Sequence, residues 1–244
     1  MITVFVTGAG GGVGQGIIKS LKLINDLDIR IIAADMNEKS AALYTSDFSY
    51  LIPRTSDDLY IEKLISIFKK ESVDYYFPGT DVELVICAKN RVLIKEKTGT
   101  DTVVSPLHAI EVSDDKYLTY QFIKENGLTA PESYLPESLP DNLKFPIIVK
   151  PRIGCRSIGV SIENSLSEVK SRLSYETGLM VQELVGTPDD EYTCTVACYE
   201  GEVSDSLVLR RVLRSGDTYQ AFPTKSEIIS SYIENLTKLL KING

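Results

Sequence analysis

Over roughly the first 105 residues, short apolar runs alternate with amphipathic segments, as expected where parallel strands are separated by covering helices. Residues 2–7 predict a first strand, and Val13, Ile17, Leu21 and Ile24 recur at helical spacing behind it. Residues 29–34 predict a second strand ending at Asp35. Ser56 and Asp57 stand where a helix cap belongs, ahead of the stripe Ile61, Leu64, Ile65 and Phe68. A third strand over 75–77, a helix containing Leu84 and Val85, and a short strand over 102–104 complete a doubly wound α/β domain. Ligands of such sheets gather beyond the carboxyl ends of the strands, where Gly10, Gly11, Asp35, Asp81 and Glu83 fall.

Beyond this point the alternation stops. Ser113 with Asp114 and Asp115 predicts a capped, acid-started helix, with Leu118, Phe122 and Ile123 as its buried face and Gly127 at its end. Residues 147–149 predict a buried strand, 165–175 a helix and 179–184 another strand. Residues 191–198 and 203–211 predict an antiparallel pair turned at Glu200-Gly201, and 227–240 an amphipathic helix striped by Ile229, Ile233, Leu236 and Leu240. This half reads as α+β.

Composition narrows the class. A chain of 244 residues suggests two lobes, and its 43% hydrophobic content allows a sizeable core. No apolar run approaches a membrane span and no basic-then-apolar leader follows Met1, so a cytoplasmic protein without a membrane partner is expected. The four cysteines, Cys87, Cys155, Cys194 and Cys198, form no C-x-x-C pair. Cys194 and Cys198 would lie roughly 13 Å apart along a strand, too far for one zinc ion. A single histidine, His108, leaves no histidine-rich metal site, and a net charge of -8 argues against nucleic acid as a partner.

Two glycine-rich stretches carry candidate chemistry. Residues 147–160, IIVKPRIGCRSIGV, deliver Lys150 from a strand into a loop where Gly154, Ser157 and Gly159 let backbone N–H groups approach an anion and Arg152 and Arg156 add charge. The lysine precedes the glycines, so this is not a Walker loop but a hairpin suited to closing over a polyphosphate, or simply a Gly-rich β-turn. Residues 7–14, TGAGGGVG, fit the T-G-x-x-x-G-x-G pattern of short-chain dehydrogenases, and Tyr120 and Lys124 supply a Y-x-x-x-K pair. That pair comes too early in the chain for a dehydrogenase and no further parallel strands follow it, so NAD(P) binding stands only as an alternative.

Taken in order, Asp115-Lys116 with Gly127 and Pro131 after it, Val149-Lys150-Pro151 with the glycine loop, and Gln182-Glu183-Leu184 followed by Glu191-Tyr192-Thr193 resemble the ATP-grasp carbon–nitrogen ligases. The nearest likeness is to the lobes of the carbamoyl-phosphate synthase large subunit. The resemblance implies a Rossmann-like pre-ATP-grasp domain over 1–112, an ATP-grasp N-terminal lobe over 113–182 and part of a C-terminal lobe over 183–244. It implies that Lys116 and Lys150 hold ATP phosphates, that Gly154, Arg156, Ser157 and Gly159 fold over them, that Glu183 and Leu184 face adenine and that Glu191 takes the ribose hydroxyls. Arg211 and Lys225 become candidates for stabilising the transferring phosphate, and Gly10, Gly11, Asp81 and Glu83 for holding substrate. The implied reaction joins a small carboxylate to an amine through an acyl phosphate, with ATP and Mg²⁺. The Mg²⁺ ligands of the family would fall past residue 244, so no metal site is expected within this chain and little turnover by the chain alone. A homodimer or a separate C-terminal partner is expected, and a non-catalytic nucleotide-binding module is the remaining alternative. Without the motif, Glu183 and Glu191 would read as exposed strand charge and Arg211 as part of a solvated basic turn.

Overall fold

A computed structural model describes residues 1–154, 157–187, 189–199, 201–214 and 216–242. The chain folds as two compact units that divide after Leu107.

The first unit runs β1 (Ile2–Val6), α1 (Gly12–Lys22), β2 (Ile29–Asp35), a 3-10 turn (Ala41–Tyr44), β3 (Phe48–Leu51), α2 (Tyr60–Glu71), β4 (Tyr75–Phe77), α3 (Asp81–Thr98) and β5 (Asp101–Thr102). Its sheet has the order β3-β2-β1-β4-β5, with every pairing parallel. Because strand side chains alternate between faces, β1 sends Phe5 to one core and Val4 and Val6 to the other. Phe5 meets Phe68 of α2 edge-to-face at 5.1 Å and joins Ile32, Leu64 and Tyr76, while Val4 and Val6 pack with Ile18, Ile31 and Ala33. Both faces are therefore covered, as parallel sheets require.

Several expectations shift here. Val13 is 61% exposed and Ile24 lies beyond the end of α1; Gly14 and Ile18 are the buried residues of that helix. Asp57 does not cap α2 directly, but its Oδ1 accepts from Leu59 N at 2.9 Å in the turn leading into it. Strand β3 was not anticipated, since as a sheet edge it leaves Phe48 and Leu51 more than half exposed and so lacks a continuous apolar signal.

The second unit begins with α4 (Leu107–Asp114) and α5 (Lys116–Glu125). Ser113 thus ends one helix, and Asp115 caps the next by accepting from Tyr117 N at 2.9 Å and Leu118 N at 3.3 Å. No residue of α5 is fully buried, so the expected apolar face of Leu118, Phe122 and Ile123 is only half covered. Next come β6 (Ser133–Tyr134), β7 (Ile147–Pro151), β8 (Ser161–Glu163), α6 (Leu166–Tyr175) and β9 (Leu179–Glu183). The antiparallel sheet β6-β9-β7-β8 places Ile147, Val149, Leu179 and Val181 against Val169 of α6. A second antiparallel sheet joins β10 (Tyr192–Tyr199), β11 (Glu202–Arg214) and β12 (Asp217–Pro223), and α7 (Glu227–Leu240) packs on β10 and β11. Strand β12, another unanticipated edge, is exposed along its whole length. The expected turn at Glu200-Gly201 falls between β10 and β11, with Glu200 outside the described residues. Among these residues no helix is long and apolar enough to cross a membrane.

Candidate functional site

In the second unit the cationic groups centre on β7. Its alternation buries Ile147 and Val149 and leaves Lys150 half-buried, with Nζ donating to Gln182 Oε1 at 2.6 Å. Gln182 projects from the adjacent strand β9, and its Nε2 donates in turn to Ser133 Oγ at 2.8 Å. Burial, and after it the nearby charge of Lys116, push the Lys150 ammonium below the usual lysine range. Lys116, the first residue of α5, donates to the carbonyls of Gly154 at 2.8 Å and Arg152 at 3.2 Å. Among the described residues neither lysine has a carboxylate partner.

Arg152, expected to add charge to the loop, is committed elsewhere. Its guanidinium grips the Asp115 carboxylate with contacts of 2.5 and 3.2 Å, and lies 5.7 Å from the Tyr117 ring centre. The loop that follows has positive φ at Gly154, Ser157 and Gly159, and a Cβ at Gly159 would stand 2.9 Å from Pro151 Cγ, so glycine is required there. Cys155 and Arg156 lie outside the described residues.

The remaining predicted groups are dispersed over β9 to α7. Glu183 closes β9; its N–H donates to Glu132 O at 2.8 Å, and its Oε2 accepts from Glu132 N at 3.3 Å. Leu184 follows, half-buried. Glu191 and Arg211, read from sequence as contacts to different parts of one nucleotide, are bonded to each other. Arg211 Nε and Nη2 donate to Glu191 Oε1 at 3.0 and 2.5 Å. Arg211 sits within β11 rather than at a strand end, and its neighbours Arg210 and Arg214 stack over the rings of Phe222 and Tyr219. Lys225 is exposed between β12 and α7 and makes no ion pair among the described residues. Tyr120 and Lys124, the dehydrogenase-like pair, both bind one carboxylate, Glu132, at 2.8 and 2.7 Å.

The first unit holds a cavity of about 390 Å³ lined by residues from the carboxyl ends of its strands, with Gly11 and Glu83 in its wall and Gly10 and Asp81 outside it. Gly10 N donates to Asp35 Oδ2 at 2.7 Å, and a side chain at Gly10 would collide with Ser40. Glu83 accepts from Tyr60 Oη at 2.6 Å and from Thr80 N and Oγ1 at 3.0 and 2.7 Å, forming the capping box of α3. Below it Tyr76 Oη contacts Tyr60 Oη at 3.4 Å and Cys87 Sγ at 3.3 Å; burial pushes the Cys87 thiol up to about 12. Gln182, Ser133 and the cavity residue Arg54 were missed in the sequence. The only signal for Gln182 was its place beside Glu183 on a strand whose alternation turns it toward Lys150.

The chain belongs to the ATP-grasp family, whose domain matches residues 113–242. Residues 6–103 match the PylC-like N-terminal domain. The carbamoyl-phosphate synthase of Methanobrevibacter smithii is 25% identical over 195 residues, covering 74% of this chain and 51% of that protein. The N-terminal section of the carbamoyl phosphate synthase large chain of Aquifex aeolicus is 28% identical over 163 residues, 57% of this chain and 29% of its own length. In structure the chain is similar to N5-carboxyaminoimidazole synthetase from Staphylococcus aureus complexed with ADP, with a TM-score of 0.75 at 17% identity over 99% of this chain and 63% of that one. It is also similar to the L-amino acid ligase from Bacillus licheniformis, with a TM-score of 0.68 at 15% identity over 98% of this chain and 60% of that one. The chain thus spans about half the length of the first of these curated relatives and under two thirds of these structural neighbours. The family match gives no support to the dehydrogenase alternative.

Proposed function

We propose that this chain binds adenine nucleotide at Lys116, Lys150 and the loop around Gly154, Ser157 and Gly159, and works within a carboxylate–amine ligase. The observation that carries this reading is Lys150, half-buried beside the glycine loop and depressed first by burial and then by the charge of Lys116, with no acid among the described residues to neutralise either lysine. A polyphosphate is the ligand class that relieves such a site, since each charge-assisted hydrogen bond contributes about 1.5–3 kcal/mol. In this reading Glu183 and Leu184 face adenine, Glu191 receives the ribose hydroxyls once released from Arg211, and Arg211 and Lys225 stabilise the transferring phosphate.

The reaction is transfer of the terminal phosphoryl group of ATP to a carboxylate oxygen, giving an acyl phosphate and ADP. An amine then attacks the acyl carbon and inorganic phosphate leaves. Mg²⁺, when bound, neutralises charge on the phosphates. Among the described residues no group of three or more His, Cys, Asp or Glu side chains is placed to hold it, so no step is assigned to the metal.

Calorimetric titration with ADP, ATP and NAD tests the proposal. ADP and ATP should bind and NAD should not, and Lys150→Ala should weaken ADP by about tenfold or more, the scale of one charge-assisted hydrogen bond. Lys19→Ala, an exposed lysine of α1, serves as the control. Equal effects of the two substitutions, or binding of NAD in preference to ADP, would remove the basis of the proposal.

A further inference from the structure

Two carboxylates, Asp35 and Glu83, line the cavity of the first unit, and both oxygens of each already accept hydrogen bonds from neutral groups of the protein. Asp35 Oδ2 accepts from Gly10 N at 2.7 Å and Oδ1 from Asn37 N at 2.9 Å. Both oxygens of Glu83 are likewise taken, by Tyr60 and by Thr80. The two side chains are buried, 9% and 3% exposed, and they hold the glycine loop and the start of α3 in place. They belong to the wall rather than to the recognition chemistry.

The uncommitted polar groups lie in the segment between β3 and α2. Arg54, Thr55 and Ser56 all line the cavity, and among the described residues none of their side chains has a hydrogen-bond or ion-pair partner. Asp57 follows directly, yet its Oδ1 is turned to Leu59 N and its own N–H to Arg54 O, so the nearest acid in sequence leaves the guanidinium unpaired. An arginine beside hydroxyl donors is matched to a planar or tetrahedral oxyanion, because its N–H fork grips two oxygens at once. Met36, Ile52 and Val82 supply apolar wall for the remainder of the ligand. The volume, about 390 Å³, lies near the lower end of the 300–1,000 Å³ typical of ligand pockets and suits a compact metabolite better than a dinucleotide.

We infer that this cavity binds a small molecule through a carboxylate or phosphate group held by Arg54, with Thr55 and Ser56 as supporting donors, and that Arg54 sets its specificity for anions. Identifying that molecule with the acceptor of the ligase rests on the proposed function; the binding itself does not.

The test uses the full chain and phenylglyoxal, which modifies accessible arginines, with mass-spectrometric readout at Arg54. Inorganic phosphate and glycerol 3-phosphate form one arm, L-glutamate and isovalerate a second, and the neutral glycerol and isovaleramide a third. Millimolar amounts of one anionic arm should protect Arg54, while the neutral arm should not, and the arm that protects tells phosphate from carboxylate. Titration of the protecting probe should weaken about tenfold or more in Arg54→Met, less in Arg54→Lys, and not at all in Lys39→Met, again the scale of one charge-assisted contact. Because Arg54 is exposed, its variants should retain the wild-type melting curve. Absence of protection by every anionic probe, or equal protection by the neutral ones, overturns the inference. Titration of ADP on the same wild-type sample separates the two readings. ADP binding without anion protection at Arg54 sinks only this inference, and anion protection without ADP binding sinks only the nucleotide reading.

Discussion

Asp115 joins two tasks in one carboxylate. It caps α5 and anchors Arg152. Burial alone would raise its pKa, but hydrogen bonds from Arg152 and from the N–H groups of Tyr117 and Leu118 outweigh burial and hold it below the ordinary aspartate value. The folded form therefore binds its proton more weakly than the unfolded chain. Its stabilisation is complete above the unfolded value and is lost as pH falls through the lower, folded one. Asp115→Ala should destabilise the second unit by about 1 kcal/mol through the cap alone. In urea melts the gap from wild type should hold at neutral pH and close in acid. At this scale the sequence was half legible. That Lys116 opens a helix and Lys150 lies near the end of a strand could be read because each stands in a contiguous motif. The pairing of Glu191 with Arg211 could not, because it depends on the ladder that sets Tyr192 opposite Arg210, and no local pattern encodes that register.

Among elements, the glycine loop into α1 distinguishes glycines that are packed from glycines that are merely present. A Cβ at Gly14 would run into the Gly8 carbonyl, and one at Gly79 into the Thr7 carbonyl, so these positions let α1 and the end of β4 close on β1. Gly12 and Gly16 have open space around them. Gly14→Ala should therefore lower the melting temperature of the first unit, whereas Gly16→Ala, at a helical position, should raise its stability by about 0.5–1 kcal/mol. Thermal melts followed by circular dichroism check both, and equal effects would mean that the loop is free to shift. Elements with one strongly apolar face were legible: α7 spans the residues its stripe predicts, and β7 and β8 form the expected hairpin. Edge strands β3 and β12 were not, because their outward side chains carry no burial pattern. Helix α4 was hidden by its shortness and by Ser113 and the acids after it, which mimic the start of the next helix.

For the whole molecule, the change from alternating to irregular pattern marked the passage between the two units, since parallel and antiparallel sheets bury their faces in different ways. The net charge of -8 conceals the unneutralised lysines of the second unit, because bulk charge averages over a surface on which local sites differ in sign. Stacking of Arg210 on Phe222 and of Arg214 on Tyr219 has a bearing on solubility. Among the described residues strand β12 borders its sheet, and an edge strand beside aromatic side chains is a surface on which a second chain can build a cross-chain ladder. Each guanidinium covers an aromatic ring and sets a positive charge beside that edge, so two molecules approaching edge to edge meet like charges first. Replacing both arginines with serine should leave the fold unchanged and lower the concentration at which light scattering rises. Without its arginines this edge is the surface through which the protein should begin to aggregate.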